Sequence, residues 1–165
     1  MTNKNFILYI RNFIFGAEDS LVSTVGLLSG IASAGISRAD IIVSGVVLIF
    51  VEAFSMSVGS FLSERATEES ESNFNQATSK SGVAAVIMFI SYLVCGLVPL
   101  FPYLFNANEQ AFWHSNLASL IALFVLGLVS AKILKTNLWK NAIRMLVIGG
   151  VAIGLGAVVG MLISR

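Results

Sequence analysis

Five long apolar runs, separated by short polar segments, constrain this 165-residue chain more than any other feature. A helix crossing a bilayer core needs about 20 predominantly apolar residues. Runs of that kind occur at 13–35, 41–62, 83–105, 117–134 and 142–163, whereas 63–81 and 106–115 are too polar for lipid. Charged residues make up only 12% of the chain, against roughly a quarter in an ordinary soluble domain. Hydrophobic residues make up 56%, more apolar surface than a soluble domain of this size can hide from water. The expected fold is therefore an all-α integral membrane protein, five transmembrane helices in a single domain over 1–165, with no room for a second soluble domain.

Basic residues set the expected orientation, because loops on the cytoplasmic side collect Lys and Arg. Lys4, Arg11, Arg65, Lys80, Lys132, Lys135, Lys140 and Arg144 fall on the N-terminal side of the five runs, and only Arg38 and Arg165 on the other. The N-terminus is thus expected in the cytoplasm, together with the acidic segment 63–81, which reads as the second helix continuing into water. Within it Glu64, Glu68 and Glu71 recur at helical spacing beside Glu69. Such a run is either a solvated helix end or a carboxylate face that attracts cations near a pore mouth. A net charge of +1 predicts no nucleic-acid partner, and the single cysteine, Cys95, excludes an internal disulfide. Glu18 and Asp19 interrupt the first apolar run, which argues against a cleaved signal peptide.

Those carboxylates carry the functional content. A charge inside a span costs roughly 2.5–3.5 kcal/mol on insertion scales, and this chain keeps three: Glu18 and Asp19 in the first run and Glu52 in the second. Glu18, on a different face from Asp19 and near the cytoplasmic end, is read as an interfacial or capping residue. With a rise of about 1.5 Å per residue, Asp19 lies about 9 Å from the cytoplasmic start of its run. On the same rise Met56 lies about 9 Å from the cytoplasmic end of the antiparallel second run, and Glu52 about 15 Å. Glu52 and Met56, at i and i+4, share a helix face. Two carboxylates and a thioether at similar depth suit a divalent metal, and the sulfur favours a late transition metal such as iron(II) over calcium or magnesium. A carboxylate that holds either a metal or a proton would couple the two fluxes.

Gly26/Gly30, Gly150/Gly154 and Gly156/Gly160 form small-xxx-small pairs that let helix backbones touch in lipid. Gly16 is expected to loosen the first helix ahead of Asp19. Pro99 and Pro102 are expected to kink or end the third span near its outer face. Tyr103, Phe112 and Trp113 suit an aromatic belt there. His114 reads as solvated and Cys95 as core.

Taken in order, four segments resemble the vacuolar iron transporter family. Phe-Gly-Ala-Glu-Asp-Ser-Leu-Val-Ser-Thr-Val-Gly-Leu-Leu-Ser-Gly (15–30) resembles the first-span signature, a Gly-x-x-Asp-Gly-Leu-type element followed by spaced glycines. Ala-Phe-Ser-Met-Ser-Val-Gly-Ser-Phe-Leu-Ser (53–63) is similar to the second-span Ser-Met-x-x-Gly motif, and Gly-Leu-Val-Pro-Leu-Phe-Pro-Tyr (96–103) to the third-span Pro-Leu-x-Pro-Tyr motif. Arg-Met-Leu-Val-Ile-Gly-Gly (144–150) is similar to the start of the fifth span. The resemblance implies a dimer of five-span protomers that moves iron(II), and often manganese(II), out of the cytoplasm in exchange for protons. Asp19 then corresponds to the pore aspartate and Met56 to the pore methionine. Metal ions, protons, lipid and a second copy of the chain are the expected partners, with iron(II) or manganese(II) as cargo and no cofactor.

Three departures stand out. The family's second-span glutamate lies eight residues before the methionine, where this chain has Leu48; Glu52 is one turn closer, about 6 Å along the axis, and is expected to substitute from the same face. Ser20 replaces the glycine after the aspartate. Many members carry a helical cytoplasmic metal-binding domain between spans two and three; here only 63–81 stands in its place, without methionine, so that at most Glu64, Glu68 and Glu71 keep part of that role. Two alternatives remain at this level: a proton-coupled organic-cation exporter, and a non-transporting membrane scaffold or sensor. Enzymatic activity is not expected, since the sequence offers no nucleophile–base pair, His-rich cluster or phosphate-binding glycine loop. The expected host is a prokaryotic plasma membrane, with a vacuolar-type membrane as the alternative.

Overall fold

In the computed structural model, residues 3–70, 74–106 and 108–164 are described, with side chains for 5–67, 80–106 and 109–164. Five helices follow one another: α1 (Asn3–Ser33), α2 (Arg38–Ser70), α3 (Phe74–Phe105), α4 (Asn108–Leu134) and α5 (Leu138–Ile163). Each contains a stretch long and apolar enough to cross a membrane, and no strand occurs among the described residues. The protein is an all-helical integral membrane protein.

The helices overrun the apolar runs. α1 begins at Asn3 and α4 at Asn108, so most of the polar segment 106–115 is helical, not loop. The acidic segment 63–81 is likewise mostly helix, shared between the end of α2 and the start of α3. Hydropathy marks where a helix meets lipid, whereas backbone hydrogen bonds carry it on into polar surroundings. Helix α3 also continues through Pro99 and Pro102 to Phe105.

α1 packs against each of the other four helices. Its composition explains why: Asn12, Ser20 and Ser29 are all buried. In lipid an apolar side chain gains nothing by turning inward, whereas a polar one needs a protein partner. Ser20 Oγ accordingly donates to the Tyr92 carbonyl (2.6 Å), and Ser29 Oγ to Asn116 Oδ1 (2.8 Å). Val47, Phe50 and Phe54 of α2 and Val147, Val151 and Leu155 of α5 turn outward.

Connections are short and capped. Gly35 (φ 75°) turns the chain after α1, where the Ile36 N–H reaches back to the Ile31 carbonyl (3.3 Å). Asn137 caps α5 by accepting from the Lys140 N–H (3.1 Å). At the other end of the bundle, Arg38 Nε donates to the Tyr103 carbonyl (2.6 Å) and its Nη2 to the Leu104 carbonyl. A guanidinium at the start of α2 thereby satisfies the open carbonyls that end α3. Arg38→Ala is expected to lower stability by about 1 kcal/mol, measured by thermal unfolding in detergent. An unchanged midpoint would mean that water replaces the cap without loss.

The aromatic belt needs correction at one position. Trp113 is 67% exposed, but Tyr103 is fully buried in the cluster of Leu28, Ile41, Ile49, Leu100 and Ala111. One residue of helix rotates a side chain by about 100°, so the neighbour of an outward-facing Leu104 points in.

Candidate functional site

Helices α1, α2 and α3 pack mutually, and the predicted site residues lie on the first two. Asp19 of α1 and Glu52 of α2 are both half-buried, and their carboxylates lie within electrostatic range of each other. Glu18, on the neighbouring face, is in range of Arg144 on α5 as well as of Asp19. The two adjacent acids thus point toward different helices.

Close approach of α3 forms the third wall. A Cβ on Gly16 would come within 2.9 Å of Met88 Sδ and 3.0 Å of the Met88 carbonyl, and one on Gly96 within 2.7 Å of Ser20 Oγ. Gly16 therefore serves contact with α3; α1 runs unbroken past it. That contact brings up Tyr92, which sequence reasoning missed. Its hydroxyl pairs with Ser23 Oγ (2.7 Å), one turn beyond Asp19, and its ring is buried in electrostatic range of both Asp19 and Glu52. A tyrosine near the middle of an apolar run was the available signal, since a buried phenol needs a polar partner.

Below the carboxylates, a cavity of about 610 Å³ lies among α1, α2 and α3. Arg11, Asn12, Met56, Ser60, Glu64 and Met88 are among the residues lining it. Asp19 and Glu52 are four residues past Phe15 and Met56 of its wall, about 6 Å farther along each helix. Of the three residues expected to line the path within the spans, Met56 is the one on the cavity itself, and Glu64 lines its wall as well. Asn12 Nδ2 donates to the Leu8 carbonyl (3.0 Å), which leaves Oδ1 to accept from Ser60 Oγ (2.5 Å).

Glu64 lines the mouth of the cavity, where Arg11 of α1 forms an ion pair with it. The hairpin of α1 and α2 brings together residues 53 apart in sequence. The Glu68 side chain and Glu71 lie outside the described residues. His114 is exposed, and Cys95 sits in the apolar cluster around Leu21, Leu123 and Met145. Among the described residues no three His, Cys, Asp or Glu side chains gather on one point.

Comparison with known proteins agrees with this architecture. The sequence is similar to Vacuolar iron transporter homolog 2.1 of Arabidopsis thaliana, 24% identical over 170 residues, covering 89% of this chain and 78% of that protein. It is 26% identical over 167 residues to Vacuolar iron transporter homolog 1 of Oryza sativa subsp. japonica, covering 89% and 70%. To the Vacuolar iron transporter of Plasmodium berghei (strain Anka) it is 22% identical over 225 aligned positions, covering 94% and 82%. That alignment is longer than the whole of this chain, so the Plasmodium protein carries insertions absent here. The sequence model of the VIT family matches residues 10–82 and 68–161, two segments that overlap over 68–82, from the end of α2 into the first part of α3. With all five helices covered in order, this chain belongs to the VIT family.

Proposed function

We propose that this protein moves a divalent transition-metal cation, iron(II) or manganese(II), across the membrane, out of the cytoplasm and in exchange for protons. The observation that carries this reading is the approach of Asp19 to Glu52 from two helices of membrane-spanning length. Two half-buried carboxylates within electrostatic range of each other inside membrane spans repel one another. One divalent cation neutralises both, and so do two protons. A site that accepts one or the other, but not both together, is what exchange requires. Met56, one turn nearer the cavity, adds a sulfur that favours a late transition metal. The names of the plant and Plasmodium relatives support iron as cargo.

One chain brings two carboxylates and a thioether, fewer donors than the six that manganese(II) or a similar ion prefers. A homodimer supplies the rest. The outward apolar face of α2, through Val43, Val47, Phe50, Phe54 and Val58, is the surface on which a second copy fits. The bias of Lys and Arg toward the N-terminal side supports a cytoplasmic mouth for the cavity. A prokaryotic plasma membrane is the proposed host, with a vacuolar-type membrane as the alternative.

The test is flux. In liposomes holding a metal-quenched fluorophore, with a proton gradient imposed, the purified protein is expected to admit iron(II) or manganese(II). Glu52→Gln is expected to slow that flux by roughly tenfold or more, as loss of one carboxylate ligand should. A wild-type rate in the variant would remove Glu52 from the site. No quenching with either metal, under either gradient, would end the transport reading.

A further inference from the structure

Three of the five methionines have ordinary explanations: Met1 is terminal, Met145 is core, and Met161 is exposed on α5. The other two, Met56 on α2 and Met88 on α3, line the same cavity from different helices, Met88 while itself as buried as the core methionine Met145. A methionine beside a small residue usually fills space, and Met88 does pack against Gly16. Filling space does not explain what accompanies it. The same cavity holds the Asn12 amide, turned by its hydrogen bond to Leu8 so that its oxygen meets Ser60. That oxygen has a second lone pair to offer. Glu64 completes the wall, and its charge is already engaged by a cation, the Arg11 guanidinium.

We propose that this cavity is a second cation site, distinct from the carboxylate pair and on the approach to it, in which Met88 supplies a sulfur donor opposite Met56. This rests on the transport reading. The donor set is two thioethers, an amide oxygen, a hydroxyl and a carboxylate, and it takes a thiophilic transition-metal cation such as iron(II) in preference to a harder ion such as manganese(II) or magnesium. Arg11 holds Glu64 until the metal displaces it, so the carboxylate is neutralised while the cavity is empty and freed when a cation arrives. One turn deeper the cation meets Asp19 and Glu52, where charge replaces sulfur as the main attraction. Selection by softness thus precedes binding by charge.

Two measurements on Met88→Leu test this. The substitution keeps the volume and removes the sulfur, and swaps of this kind usually cost less than about 1.5 kcal/mol. The first is equilibrium binding of cadmium(II), alone, to the full-length protein carrying Asp19→Asn and Glu52→Gln, which lacks the deeper charges. Adding Met88→Leu is expected to weaken that binding by roughly tenfold; unchanged affinity overturns the site. The second is flux in liposomes, where Met88→Leu alone is expected to lower iron(II) transport while manganese(II) transport holds. An equal fall for both metals, or no change for either, makes Met88 a packing residue and overturns the proposal. If cadmium(II) binding depends on Met88 while the wild-type protein moves no metal, the cavity site stands and the transport reading falls. If transport proceeds through Asp19 and cadmium(II) ignores Met88, the cavity site alone falls.

Discussion

Asp19→Asn is expected to abolish metal flux and to leave a protein at least as stable as the wild type. The amide keeps the size of the side chain and its capacity to accept a hydrogen bond, and removes only the charge. In the metal-free protein that charge is a burden. Asp19 is half-buried in electrostatic range of Glu52, and each intramembrane carboxylate costs roughly 2.5–3.5 kcal/mol to insert. Removing one relieves both repulsion and desolvation. For a divalent cation the sign reverses, because one carboxylate leaves half its charge uncompensated. Flux is expected to fall by about 100-fold or more, the combined effect of weaker binding and a broken exchange. Liposome flux measures the first half, and thermal unfolding in detergent without metal the second. Stability gained where activity is lost is the pattern expected of residues kept for function. Glu18→Gln is the control: Glu18 is in range of Arg144 on α5, and its loss is expected to change flux little. Flux in Asp19→Asn above about a tenth of the wild-type rate would place the metal path elsewhere.

How much of this could be read without coordinates depends on which physical signal each residue carries. The five helices were legible because lipid demands about 20 apolar residues per crossing and the chain supplies five such runs. Their ends were not, since α1 and α4 extend through polar sequence that hydropathy cannot distinguish from loop. The expectation that Asp19, Glu52 and Met56 lie at comparable depth comes from rise per residue alone, and the short connection between α1 and α2 is what lets Asp19 and Glu52 interact. Residues whose role depends on helix rotation stayed hidden. Met88 and Tyr92 look apolar in a hydropathy reading, and only the contact of α3 with Gly16 and Ser20 turns them to the cavity and the carboxylates. The partner of Glu64 stayed hidden for the same reason, because a charge run on one helix says nothing of an arginine brought over it by another. Ser23 was visible at i+4 from Asp19, yet without Tyr92 its hydroxyl had no partner to suggest a function.

Gly156→Val is expected to produce the largest structural loss in the chain. A Cβ at Gly156 would overlap the carbonyl oxygen of Gly26, and one at Gly160 would overlap that of Gly30. Both obstacles are backbone, which cannot swing aside as a side chain would. The two helices run parallel here, and a Cβ on Gly30 would in turn lie 2.9 Å from the Gly156 carbonyl, so the contact is tight from either side. Overpacking typically costs 1–3 kcal/mol and more where the backbone must move, so a loss of about 3 kcal/mol or more is expected, read as a lower unfolding midpoint in detergent. The effect reaches function because α1 carries Asp19: a shift of α1 away from α5 changes its depth and rotation against Glu52 on α2. Flux is therefore expected to fall with stability in this variant, in contrast to Asp19→Asn, where the two part. Gly150→Ala and Gly154→Ala are the counterparts, since that predicted glycine pair meets no atom within 4 Å and faces outward. There alanine replaces glycine in a helix with nothing to strike, and should stabilise by roughly 0.5–1 kcal/mol. A loss at Gly150 or Gly154 as large as at Gly156 would mean that this face of α5 is covered in the working protein, so that the proposed second copy would dock on α5 and the exposed face of α2 would be left to lipid.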